Sequence, residues 1–226
     1  VVLPLGRLGS VGTKGRSVLD EDRGQNLLVV CAANVCRSPL AEYLLSTALP
    51  SIPEFEGHSV SSAGAKATAG AAICGLVEAR LGPDGADFSA AHRARALTRE
   101  MIGDAAIVLT ASTSERAAVA LLDPTARPRT FTIREAVALA EADGPPAPDT
   151  GALLERFAGM AHARRGLVAA PRPEGRAVAR WFRRSAPEPL DVSDGHVLGD
   201  KSHEATIVEV RRATERLVAA LERIAR

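Results

Sequence analysis

The sequence predicts an α/β fold in three layers, with a four-stranded parallel sheet and helices on both faces. Three observations predict it. Short apolar runs and helix-type stretches alternate four times along the chain, the pattern of strands joined by crossover helices. The runs Leu27–Cys31 and Ala105–Thr110 are apolar almost throughout, as strands buried on both sides are. The length of 226 residues, with 46% hydrophobic and 24% charged, is enough to bury a substantial core.

The elements follow in order. Residues 1–25 are rich in Gly, Ser and charge without periodicity and read as a flexible N-terminal extension. Residues 26–226 read as a single domain with a longer segment around 143–187. Leu27–Cys31 is the first strand. A loop then runs to Arg37, and Ser38-Pro39 opens a helix, Ser as N-cap and Pro at the first helical position. That helix ends near Leu49, before Pro50. His58–Ser62 is the second strand. Ala71–Leu81 is a helix stopped by Gly82-Pro83. Arg99–Gly103 is a short helix, Ala105–Thr110 the third strand and Ser112–Leu122 a helix. Arg129–Ile133 is the fourth strand and Arg134–Ala142 its helix. The longer segment holds a helix over Ala152–Arg164 and a basic stretch, Arg176–Arg184. Leu190–Asp200 is a loop. The last helix, Ser202–Ala225, carries Ile207, Val210, Thr214, Leu217, Leu221 and Ile224 as one stripe to pack on the sheet.

Composition excludes several functions. Lys and Arg total 28 against 27 Asp and Glu, a net charge of +1, so no nucleic-acid partner is indicated. Aromatics at 3% leave no base-stacking platform. No apolar run approaches the roughly 20 residues of a membrane span, so membrane insertion is not expected. Cys31, Cys36 and Cys74 are too few for a disulfide scaffold, which makes a cytoplasmic location the default. The N-terminal stretch lacks the apolar core of a signal peptide.

In an open parallel sheet the site lies beyond the carboxyl ends of the strands. The loop there is Cys31-Ala32-Ala33-Asn34-Val35-Cys36-Arg37-Ser38. A tight loop running into a helix N-terminus offers backbone amides to a dianion. The same field favours the thiolate at Cys31. Arg37 supplies a planar fork for two phosphoryl oxygens, and Ser38 can donate to the thiolate. Cys31 and Cys36 lack two further ligands at zinc-site spacing, with Cys74 distant in sequence, so no metal is expected. Neither nucleotide-binding glycine fingerprint is present.

The stretch VVCAANVCRSPLAE resembles the active-site signature of the low-molecular-weight protein tyrosine phosphatases. Ser61-Ser62-Ala63-Gly64, the run from His92 to Thr110 and Arg129–Glu135 resemble further segments, the last those of actinobacterial members. The resemblance covers about residues 26–136 and 188–226. It implies the flavodoxin-like phosphatase fold and hydrolysis of phosphotyrosine-type monoesters on proteins or small aryl phosphates, without metal or organic cofactor. Cys31 would be the nucleophile and Arg37 the phosphoryl clamp. Residues 32–38 would bind the phosphate, and Asn34, Ser62 and His92 would support the loop. Asp194, in Asp191-Val192-Ser193-Asp194-Gly195-His196, matches the general acid; Asp123 and Asp191 are competitors. Cys36 resembles a second loop cysteine able to pair reversibly with Cys31.

Departures from the family's pattern leave alternatives open. Ala33 stands where Gly is usual, and would be strained if that position needs a positive φ. Gly195 replaces Pro, predicting a looser acid loop, and His196 replaces an aromatic. Ala33 and Gly195 motivate a catalytically weak phosphate-binding module as one alternative, and His196 implies weaker phosphotyrosine binding or a different substrate. Arsenate reductase and protein-arginine phosphatase are others of the same fold. Val35 favours tyrosine over arginine substrates, and the lack of cysteines after Cys74 disfavours arsenate reduction. His58, His162 and His203 read as structural, and Cys74 has no assigned role.

Overall fold

The computed structural model describes residues 25–167, 190–195 and 200–226. Residues 1–24 of the expected 1–25 extension, the basic stretch 176–184 and His196 lie outside them. Four strands form one sheet: β1 (Asn26–Cys31), β2 (Ser59–Gly64), β3 (Ala105–Thr110) and β4 (Thr130–Thr132). Their order is β2-β1-β3-β4 and every pairing is parallel. Chain reversal between β2 and β3 around the central β1 makes the switch point, where an open α/β sheet places its crevice.

The longer helices are α1 (Arg37–Ala48), α2 (Gly75–Leu81), α3 (Ala86–Ala91), α4 (Arg99–Gly103), α5 (Thr113–Leu122), α6 (Ile133–Glu141), α7 (Leu153–Ala163) and α8 (Asp200–Ala225). Successive residues of β1 alternate between two cores. Leu27 and Val29 join Leu40 and Leu45 of α1, Phe157 of α7, and Ile207, Val210, Leu217 and Leu221 of α8. Leu28 and Val30 meet Ile102 of α4, Val108, Val119 of α5 and Ala126 on the opposite face. This is the period-2 geometry of a strand covered on both sides, and the three layers follow from it. Among the described residues no helix is long and apolar enough to cross a membrane.

Several boundaries differ from expectation for local reasons. Helix α1 begins at Arg37, with Cys36 at the N-cap and no side-chain cap bond; the Ser38 hydroxyl is committed to Cys31 instead. The second strand runs on to Gly64, paired with Cys31. The segment expected as a helix from Ala71 starts only at Gly75, and α3 follows it unforeseen. The fourth strand is trimmed at both ends. Pro124–Arg129 coils into a 3-10 turn, and Thr132 is the N-cap of α6, in a capping box with Glu135.

Candidate active site

Strand β1 ends at Cys31 and α1 begins at Arg37, so the five intervening residues must turn tightly over the sheet edge. The turn hinges on Asn34, whose φ of 57° makes it the one non-glycine in the left-handed region among the described residues. Asn tolerates that region better than residues other than Gly. Ala33 therefore carries no positive φ, and the strain expected there does not arise. Gly64 at the end of β2 is the glycine the loop requires. A Cβ there would press on the Ala32 carbonyl oxygen at 2.8 Å and the Ala33 carbonyl carbon at 2.9 Å.

A hydrogen-bonded chain holds the loop in shape. The Asn34 N–H points at Cys31 Sγ at 3.2 Å, and the Ser38 hydroxyl donates to the same sulfur at 3.1 Å. Asn34 Nδ2 donates to Ser38 Oγ (2.9 Å) and to Ser62 Oγ (2.7 Å). Asn34 Oδ1 accepts the Arg95 N–H at 2.9 Å, and the Asn34 carbonyl receives His92 Nε2 at 2.8 Å. Phe88 of α3 packs beside the His92 ring, centroid to centroid 5.8 Å. Ser62 in turn donates to Glu42 at 2.5 Å. Asn34, Ser38 and Ser62 are fully buried, where such polar groups must be paired. The expected supports Ser62 and His92 are thus in contact with Asn34.

Glu42 was not foreseen. It lies on α1, four residues beyond Ser38, on the same helix face. Burial raises its carboxyl above the ordinary carboxylate value, against the Ser62 hydrogen bond and the nearby Arg95 and His92.

Arg37 is buried to 3% exposure and held by two carboxylates, as a buried charge requires. Its NH2 donates to Asp194 Oδ2 at 2.5 Å and lies 3.8 Å from Glu115 Oε1. Its NH1 donates to the Val192 carbonyl at 3.2 Å. Glu115, from α5, is the second residue the sequence reading missed; it accepts the Ser112 hydroxyl. The segment bearing Asp194 is fastened to the sheet by the Val192 N–H on the Ala111 carbonyl, 2.8 Å.

The two competing aspartates are placed elsewhere. Asp123 caps its own 3-10 turn, accepting the Thr125 N–H (3.0 Å) and hydroxyl (2.6 Å). Asp191 binds the first residue of α5, with 2.8 Å to Thr113 N and 3.1 Å to Thr113 Oγ1. Gly195 is held rather than loose. Its N–H donates to Thr206 Oγ1 at 3.1 Å, a bond proline could not make. A Cβ at Gly195 would overlap the Ser202 carbonyl oxygen and the Thr206 hydroxyl.

Cys36, Cys74 and His203 also come together, which the sequence reading did not foresee. Cys36 Sγ lies 3.0 Å from His203 Nε2, and Cys74 Sγ 3.5 Å from the same atom. A hydrogen bond with Cys74, followed by burial, pushes the Cys36 thiol well above the usual cysteine range. The separation of 129 residues from Cys74 to His203 hid the cluster. One signal was available: position 203 is one turn before Ile207, on the buried stripe of α8.

A sequence model of the family described as low molecular weight phosphotyrosine protein phosphatase matches residues 26–144. The low molecular weight protein-tyrosine-phosphatase Ptp of Acinetobacter johnsonii is 32% identical over 107 residues, 47% of this chain and 70% of that protein. A protein-arginine-phosphatase of Geobacillus stearothermophilus is 32% identical over 117 residues, 52% of this chain and 74% of that protein. Among solved structures, the YwlE arginine phosphatase from Geobacillus stearothermophilus aligns with a TM-score of 0.57 at 23% identity. It covers 88% of this chain and 94% of its own. The tyrosine phosphatase Wzb from Escherichia coli K30, solved with phosphate, gives 0.54 at 17% identity, covering 86% and 96%. These two likenesses establish a shared fold that runs past the end of the sequence match. Since that match itself spans more than half of the residues, the chain belongs to the low molecular weight phosphotyrosine protein phosphatase family.

Proposed function

We propose that the protein hydrolyses phosphotyrosine-type monoesters through a cysteinyl-phosphate. The observation that carries this reading is the convergence of the Cys31 loop, Arg37 and Asp194, drawn from segments 157 residues apart, with Arg37 and Asp194 in direct contact. The substrate's phosphoryl group lies in the curled loop, residues 32–38, and displaces Asp194 from the Arg37 fork. Cys31 Sγ attacks phosphorus in line, and the bond to the leaving oxygen breaks. Asp194 gives that oxygen its proton. In the second step Asp194 takes a proton from water as the water attacks phosphorus. Cys31 then leaves as a thiolate, stabilised by the Ser38 hydroxyl and the Asn34 N–H. Asn34, Ser62 and His92 position the loop. The steps use only these side chains and water.

Tyrosine is favoured over arginine as the substrate residue because Val35 is aliphatic where arginine-directed relatives of the family carry Thr. The arginine reading stays in the test because one relative is named for that activity. We place the protein in a reducing cytoplasm because three cysteines in 226 residues are too few for a disulfide scaffold.

The test is hydrolysis of para-nitrophenyl phosphate against pH by the intact chain and Cys31→Ser, followed by phosphotyrosine and phosphoarginine peptides. Turnover abolished by Cys31→Ser, with phosphotyrosine preferred, is the expected result. No turnover with phosphate or vanadate still bound would overturn it in favour of a binding module.

A further inference from the structure

We infer that Cys36, Cys74 and His203 form a binding site for one thiophilic divalent cation of the zinc type, set directly behind the phosphate loop. Three elements supply the ligands: Cys36 the N-cap of α1, Cys74 the N-cap of α2, and His203 the first turn of α8. Their three ligand atoms lie within 4.8 Å of one another. Tetrahedral zinc, with bonds of about 2.3 Å to sulfur and about 2.0 Å to imidazole, sets such atoms roughly 3.5–3.8 Å apart. The Cys74–His203 distance of 3.5 Å already fits, and the Cys36–His203 distance of 3.0 Å needs to open by about half an ångström. Two sulfurs and an imidazole nitrogen select zinc-like ions over magnesium or calcium.

The arrangement is braced before any ion arrives. The Cys74 N–H donates to the Val35 carbonyl at 2.8 Å, tying the start of α2 to the loop. Cys36 is 4% and His203 7% exposed, while Cys74 is half-buried. An ion therefore enters past Cys74, where water completes its coordination. Cys31 takes no part, its sulfur being engaged by Ser38 and Asn34. On binding, two thiol protons pass to solvent as two metal–sulfur bonds form, and no oxidation state changes. Because Cys36 immediately precedes Arg37, an occupied site fixes the phosphate loop from its inner side.

The test uses cobalt(II) as an optical probe on the intact chain, kept reduced by a phosphine and free of oxygen. Sulfur-to-cobalt charge-transfer bands and tetrahedral d–d bands are expected to saturate at one equivalent and to be bleached by zinc(II). They are expected to persist in Cys31→Ser and to vanish in Cys74→Ser and in His203→Gln, each checked for native circular dichroism. X-ray absorption of the cobalt-loaded intact chain gives a second reading that no misfolded variant can confuse: two sulfurs and at least one imidazole. Absent bands, bands retained in either ligand variant, or bands lost in Cys31→Ser would overturn the site. The outcome does not depend on phosphatase turnover, so it stands or falls separately from the proposed reaction.

Discussion

Replacing Asn34 by Ala removes the residue on which the loop turns, and its cost can be worked from the geometry. Three side-chain hydrogen bonds are lost: those from Nδ2 to Ser38 and Ser62, and that from the Arg95 N–H to Oδ1. At about 1 kcal/mol net each they contribute about 3 kcal/mol. Holding Ala at the left-handed φ of 57° adds about 1 kcal/mol. The sum, about 4 kcal/mol, is a large share of the 5–15 kcal/mol typical of a folded protein. It corresponds to a fall in Tm of about 8–16 °C for a chain of this length. Urea unfolding at neutral pH measures it as a lower midpoint with unchanged slope. Asn34→Gly separates the two contributions, since Gly accepts the backbone conformation but makes none of the bonds. It should recover about 1 kcal/mol. A loss below about 1 kcal/mol in Asn34→Ala, or no recovery in Asn34→Gly, would refute the account of Asn34 as both hinge and hydrogen-bond hub.

Four further predictions rest on the same geometry. Glu42 holds its proton longer in the folded protein than in the unfolded chain, so its contribution to stability is full below its ordinary value of 4.5. It is lost as pH rises through the higher folded value. The unfolding free energy of the intact chain, measured against Glu42→Gln, should therefore decline as pH rises from below 4.5, and a flat difference would show no shift. Gly195→Ala forces a methyl onto the Ser202 carbonyl and displaces the neighbouring Asp194. Steady-state kinetics should show kcat falling roughly 10–100-fold with KM little changed. Asp194→Asn should lower kcat on aryl phosphates by roughly 100-fold or more. Asp191→Asn should instead cost about 1 kcal/mol of stability through α5 and leave kcat nearly intact, as thermal melts and initial rates would show together.

Much of the fold was readable because its signals are local. A run such as Leu27–Cys31 between turn residues is a buried strand whatever its neighbours, and the stripe from Ile207 to Leu221 is a packing face wherever the helix docks. Boundaries were less legible, since they depend on what a side chain is asked to do. Ser38 has the chemistry of a cap, but its hydroxyl is spent on Cys31. Thr132 has the chemistry of a strand residue, but it caps α6. The capping box it forms with Glu135 could have been read from the sequence, because its partners are three residues apart.

The candidate site divides the same way. Cys31, Asn34, Arg37 and Ser38 lie within eight residues, so the sequence alone determined that a thiol, a guanidinium and a hydroxyl would surround one turn at the end of a strand. Only the tertiary structure decided which aspartate reaches that turn, because Asp123, Asp191 and Asp194 differ in where their backbones run and not in their chemistry. It also decided that Glu115 backs Arg37, that Glu42 ends the hydrogen-bonded chain from Asn34, and that Cys36, Cys74 and His203 meet. These pairings join residues carried by different helices, strands and loops. Side chains so far apart in sequence become neighbours only when strand order and helix packing fix both of their backbones.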